Sequence, residues 1–177
     1  MSNLRLINQT TVTNSSSATI TNMFNEDFDI YKVEVVGLHQ NDGTQNACSM
    51  RLVNSSDSVV TASEYDKAQL NIDAYASYYE DRSTNQNKLY RFLGNLDNEP
   101  SSASTTMYVF NPYSSSSYTF MLKQGASLWG TADFSNFKAI AVLTQLSSIT
   151  GINFFPDGTS GKTISGVVRT YGLRVDS

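Results

Sequence analysis

The stretch FFPDGTSGKTISGVV, residues 154–168, allows two readings that lead to different folds. As a phosphate-cradling loop it would need a glycine five positions before the Gly of GK[ST], so that backbone amides could wrap the phosphates, and a helix directly after it. For Gly161-Lys162-Thr163 that glycine would fall at position 156, which is Pro156, a residue with no N–H to offer. The next segment, TISGVVRTYGL, is rich in β-branched and aromatic residues and reads as a strand. The stretch is therefore expected to be a Gly-rich hairpin between ITGINFF and TISGVV, and nucleotide chemistry is not expected.

The same two-residue period runs outward along the chain. DIYKVEVVGL sets Tyr31, Val33 and Val35 against Lys32 and Glu34, the pattern of a strand with one buried side. CSMRL sets Cys48, Met50 and Leu52 against Ser49 and Arg51, and QNDGT at 40–44 reads as the intervening turn. AQLNIDAYASYY places Leu70, Ile72, Ala74, Ala76 and Tyr78 in step, opposite Asn71, Asp73 and Ser77. KLYRFLG, TTMYVFN, YTFMLK, FKAIAVLT, ITGINFF and TISGVVRTYGLRV complete a set of short strands, broken by turn chemistry at 95–104, 111–117 and 156–162. The Ala content of AQLNIDAYASYY argues for a helix, but its i, i+3, i+4 stripe is poorer than its alternation and a strand is expected. The expected fold class is all-β, a two-sheet antiparallel β-sandwich in which each strand buries one face. Residues 1–16 are expected to be an N-terminal arm or an edge strand, with Leu4, Leu6 and Ile7 as its apolar docking patch, and residues 17–177 a single sandwich domain.

Composition narrows the function classes. The chain of 177 residues has 12 basic and 16 acidic residues, a net charge of −4 and only 16% charged residues, so solubility rests on Ser, Thr and Asn. No basic stripe is present, and a nucleic-acid partner is not expected. The N-terminus lacks an apolar run of signal-peptide length and no stretch is apolar for membrane-spanning length, so neither export by that route nor a membrane partner is expected. Cys48 is the single cysteine, which removes intrachain disulfides, and His39 the single histidine, which removes paired-His metal sites. No nucleophile motif surrounds either residue.

The acidic group Glu26, Asp27 and Asp29 lacks calcium-loop spacing and reads as a solvated loop. Glu80 and Asp81 are adjacent, so a strand would point them to opposite faces. No cofactor or metal and no catalytic residue is expected. Of the ten Tyr, nine Phe and Trp129, most fall on the apolar phase of strands. Tyr113 and Tyr118, flanking the serine-rich turn, and Tyr79 are the candidates for exposure and surface recognition.

Taken in order, ATITNMFNEDFDIYKVEVVGL, ACSMRL, TTMYVFNPYSSSSYTFML and SSITGINFFPDGTSGKTISGVVRTYGLRV resemble a virion structural module of tailed bacteriophages. That module occurs in tail fibres and appendages and as short free-standing decoration proteins. Its recurring marks are a hairpin of the type MYVFNPYSSSSY and a closing IxGIxFxx…G-xI-x-G-xxxxYGL pair, and this sequence carries both over roughly residues 17–175. The resemblance implies a jelly-roll-like sandwich assembled as a homotrimer, without enzymatic activity, made in the host cytoplasm and located in the virion. Nothing ahead of the module reads as a fibre shaft, which favours a capsid decoration (cement) protein bound to the major capsid protein or other virion proteins. The alternative is a tail appendage that reads host-surface glycan through loop aromatics. A third possibility, glycan hydrolysis, would require two carboxylates about 5–9 Å apart in a cleft.

Overall fold

The computed structural model describes residues 3–42, 45–74, 78–98, 103–129, 133–158 and 160–174. They form β1 (Leu4–Ser15), β2 (Ala18–Ile20), β3 (Ile30–Gln40), β4 (Asn46–Asn54), β5 (Tyr65–Asp73) and β6 (Tyr78–Gln86). The chain continues through β7 (Asn95–Leu96), β8 (Ala103–Phe110), β9 (Thr119–Trp129), β10 (Asp133–Leu143), β11 (Ile149–Asp157) and β12 (Ile164–Leu173). No helix occurs among the described residues. One antiparallel sheet has eight strands in the order β1-β12-β3-β8-β9-β10-β5-β6, and the other has four, β2-β11-β4-β7. The expected all-β, two-sheet, jelly-roll-like sandwich is what the chain forms.

Alternation decides which side chains meet between the sheets. Tyr31, Val33 and Val35 of β3, Met107 and Val109 of β8, and Cys48, Met50 and Leu52 of β4 are all buried in one core with Ile152 and Phe154 of β11. Close approach of β2 to β11 needs Gly151, where a Cβ would lie 2.0 Å from the Ile20 carbonyl oxygen. Tyr65 closes one end of the core. Its hydroxyl accepts the Leu52 N–H at 2.9 Å and donates to the Val60 carbonyl at 3.0 Å, and burial pushes its pKa up to about 12.

Several sequence expectations are corrected. The GTSGKT stretch is not a hairpin, because β11 belongs to the small sheet and β12 to the large one. Turn residues specify that the chain reverses, not which strand it bonds to next. Gly161, with φ of +84°, takes the left-handed turn there. QNDGT likewise connects the two sheets, and the connections support each other. Asn41 N–H donates to the Thr163 carbonyl, Thr163 N–H donates to Asn41 Oδ1, and Lys162 pairs with Asp42. Outside the β5–β6 hairpin and the β8–β9–β10 meander, every connection crosses between sheets.

AQLNIDAYASYY is two antiparallel strands rather than one, since β5 pairs with β6. KLYRFLG is a tight loop at 88–94 rather than a strand: it lacks β-branched residues, and Arg91 sits in the left-handed region at φ +57°. Ala76, residues 43–44 of QNDGT and residues 99–102 of NLDNEPSSAS lie outside the described residues. Leu4–Ser15 is the edge strand β1, paired with β12 along its length. Ile7 packs against the core, while Leu4 and Leu6 are exposed.

Replacing Tyr65 by Phe leaves the Leu52 N–H and the Val60 carbonyl without their partner in a dry setting. We expect Tyr65→Phe to lose about 1–3 kcal/mol of stability with the fold retained. A urea titration checks this as a lowered midpoint at unchanged slope; an unchanged midpoint would show that the two hydrogen bonds contribute nothing net.

Candidate functional site

Eight strands at about 4.8 Å spacing cannot be covered by four. The small sheet ends at β7, which lies against β9, and beyond it the inner face of β9, β10 and β5 is covered by the loop 88–94. That loop is tied to β4, with Cys48 N–H donating to the Gly94 carbonyl and Met50 and Leu89 exchanging both backbone bonds.

An irregular loop brings backbone polar groups that no sheet ladder satisfies, so side chains must meet them. Lys67 Nζ donates to the Tyr90 carbonyl and to Asp81 Oδ2, both at 2.6 Å, and Thr105 Oγ1 donates to the Leu93 carbonyl. Ser127 Oγ accepts the Asn95 N–H, and Ser49 Oγ accepts the Arg91 N–H. Gln69 and Asn71 hydrogen-bond to each other at 2.6 Å in the same layer. The inward phase of β5 is therefore Tyr65, Lys67, Gln69 and Asn71, while Ala68, Leu70 and Ile72 face out. The period-two reading of this strand finds the alternation but not which phase is buried.

One member of the layer is costly. The Lys123 side chain is fully buried, its Nζ has no hydrogen-bond partner among the described residues, and it lies 4.7 Å from the Phe137 ring centroid and 5.4 Å from that of Phe92. Burial, with a smaller push from the Lys67 charge, brings its pKa down to about 7. Lys67 is lowered too, by burial against the opposing pull of Asp81. The Cys48 thiol is buried and pushed up, an inert core group rather than a nucleophile.

The outer face of the same strands is the surface this arrangement leaves over. Phe120 and Leu122 of β9, Phe134 and Ile140 of β10, and Leu70 and Ile72 of β5 are between 38% and 59% exposed. Cross-strand register joins part of this set: Ile140 stands between Leu122 and Ala68, and Val142 stands beside Phe120, which faces Phe110, while Lys138 beside Leu70 and Asn136 beside Ile72 separate this group from Phe134. An open groove of about 530 Å³ runs between Phe110, Phe120, Leu122, Ile140, Val142 and Ala68. Further along the sheet, β3 shows solvent the ion pair of Lys32 and Glu34. Sequence reasoning missed this face, although FKAIAVL, with Ile140 and Val142 on the phase opposite Phe137, Ala139 and Ala141, carries part of the signal of a strand covered on both sides.

The expected recognition residues lie apart. Tyr113 and Tyr118 are exposed on the β8–β9 turn, where Asn111 adopts a positive φ and Ser114 bonds back to it. Tyr79 is on the opposite edge strand β6, where its hydroxyl accepts from Arg91 Nη1 at 2.9 Å. Leu4 and Leu6 lie on β1 at the other edge. Glu80 points outward while Asp81 is held by Lys67, so this pair does not converge. His39 Nδ1 meets the Gly37 carbonyl at 2.9 Å on β3, in the sheet opposite Cys48. Asp27 is engaged with Asn25, whose oxygens accept from the Tyr31 hydroxyl. Among the described residues no three His, Cys, Asp or Glu side chains group to hold a metal.

No protein-family model and no curated protein matches the chain. Among solved structures it is similar to the CBM40 of the Ruminococcus gnavus IT-sialidase bound to α2,3 sialyllactose, at 8% identity and a TM-score of 0.31 over 98% of this chain and 95% of that one. It is similar to a family 7 alginate lyase, A1-II′, at 9% identity and a TM-score of 0.23 over 85% and 64% of the two chains. The VP2 subviral particle of infectious bursal disease virus gives 9% and 0.19 over 98% and 41%. At these scores none of the three bears on function.

A lysine lowered to about 7 from its ordinary 10.5 means that the unfolded chain binds a proton that the native chain releases across that interval. Stability therefore rises with pH from about 7, by up to about 1.4 kcal/mol per unit. Above about pH 9 the raised Cys48 thiol acts in the opposite sense, because the unfolded thiol ionises first. We expect Lys123→Met to be more stable than the native chain by about 1–4 kcal/mol at pH 7 and to lose the upward slope between pH 7 and 9. Denaturant midpoints measured at several pH values check this, and an unchanged slope in the variant would refute it.

Proposed function

We propose that this protein is a structural component of a tailed-phage virion, a capsid decoration protein held on the head shell in many copies. Two things support the reading: the sequence resemblance of residues 17–175, and one observation, the apolar outer face of β9, β10 and β5. About 300–600 Å² is the largest apolar patch that a typical monomer exposes, and such patches are often functional contacts; in an assembly a partner covers them. The exposed Leu4 and Leu6 on edge strand β1 offer a separate contact at the far side of the same sheet. An interface of about 1,600 Å² in total is ordinary for a specific contact, and several copies linked as an oligomer, a trimer by the resemblance, turn weak single contacts into retention on the particle. The reading assigns no catalysis and no cofactor.

The test is the copy number relative to the major capsid protein in purified virions, counted by quantitative peptide mass spectrometry. Hundreds of copies per particle are expected. A few tens would move the protein to a tail or vertex appendage, and absence from the particle would end the virion reading.

The second reading, adhesion to host-surface glycan, is favoured by the exposure of Tyr113 and Tyr118 on one turn. It expects the purified protein to bind intact host cells and Tyr113→Ala or Tyr118→Ala to weaken that binding about tenfold, by ~1–3 kcal/mol as for stacking aromatics at binding sites. Cell binding indifferent to both substitutions removes it.

A further inference from the structure

We infer, resting on the assembly role proposed above, that the outer face of β9, β10 and β5 is where a second copy of this chain docks, sheet face against sheet face, a two-fold contact distinct from the three-fold one that the resemblance implies. The occupant is identified by area, shape and charge. A stable interface buries about 800 Å² per partner, about 65% of it apolar when the chains are identical, which asks for about 500 Å² of apolar surface on each copy. The exposed parts of Leu70, Ile72, Phe120, Leu122, Phe134 and Ile140 supply about that much. The face is a sheet surface with the row Tyr108, Leu122, Ile140 and Ala68 across four neighbouring strands, and such a surface packs on another sheet at about 10 Å.

Its charged groups carry both signs, Asp66, Glu80 and Arg82 along the β5–β6 side and Lys138 within the face on β10, between Ile140 and Phe134. A second copy brings the same two signs and can answer each with its opposite, whereas a partner of one sign would leave half of them facing like charge. The sequence of β10 leans the same way: the outward phase of FKAIAVL holds Ile140 and Val142 beside the single charge of Lys138, while that of IYKVEVV on β3 of the same sheet holds both Lys32 and Glu34.

The experiment measures self-association of the full chain by sedimentation velocity and light scattering from about 1 to 100 μM, the range of ordinary interfaces. The native chain is expected to associate. Ile140→Glu, which puts a charge at the centre of the face, is expected to weaken association by about 100-fold or more, and Ala68→Arg in the same row to act alike. Val36→Glu, exposed on β3 outside the patch, is expected to leave association unchanged. All three positions are exposed, so far-ultraviolet circular dichroism and the melting midpoint should stay native. A native chain that remains monomeric at 100 μM, or face variants that still associate, would overturn the inference. The virion reading fails separately: a monomer counted at hundreds of copies per particle sinks only the self-docking, and an associating chain absent from particles sinks only the virion role.

Discussion

The mismatch between eight strands and four governs this molecule. A sandwich whose sheets were equal would bury every inward phase against apolar residues, and the alternation in the sequence would map directly onto inside and outside. Here the small sheet stops at β7 and the loop 88–94 takes over its task. The loop brings carbonyls and amides that need partners, so the strands above it turn polar side chains inward, Lys67, Gln69 and Asn71 on β5 and Ser127 on β9. On β5 and β9 the apolar phase is left to face out, while β10 between them is apolar inward as well, through Phe137, Ala139 and Ala141. The buried polar layer and the exposed apolar residues of β5 and β9 are thus two sides of one cause.

Lys123 shows the cost of that solution. An ammonium held between Phe92 and Phe137 gains from the ring faces, yet no acceptor completes its hydrogen bonding among the described residues. The neighbouring Lys67 is better provided for, with Asp81 and the Tyr90 carbonyl both on its ammonium. The difference comes from register: Lys67 lies on the strand next to edge β6, where a carboxylate from solvent can reach it, while Lys123 lies two strands further in.

Much of the fold is legible in the residues alone. The period of two in β3, β8, β11 and β12 and the turn chemistry between strands define an antiparallel sandwich, and Pro156 rules out a phosphate loop. Partnership is the part that local sequence does not carry. PDGTSGK and NPYSSSS are both good reversals, but the second joins neighbours in one sheet and the first joins two sheets, because the choice is made by distant strands. The buried phase of AQLNID is equally hidden, since it depends on a loop twenty residues downstream. The polar edge strand β6, YYEDRSTNQ, carries no apolar phase at all and is held by pairing with β5 and by the bond from Arg91 to the Tyr79 hydroxyl. For the candidate site, the exposed tyrosines of the serine-rich turn can be read from local sequence, whereas the outer face emerges only when three strands are aligned.

The pairing of β1 with β12 reaches across almost the whole polypeptide; the bond from Asn14 N–H to Ser165 Oγ spans 151 residues. During synthesis, at about 5–20 residues per second, the first strand emerges many seconds before the one it must bond to. Until then β1 waits unpaired, and the large sheet is open at the β3 side as well. Contacts so distant along the chain also make for slow closure. Leu4–Ser15 meets this interval with polar side chains at most of its outward positions and bulges near Asn8 and Ser15, devices that keep a lone strand from pairing with the wrong neighbour.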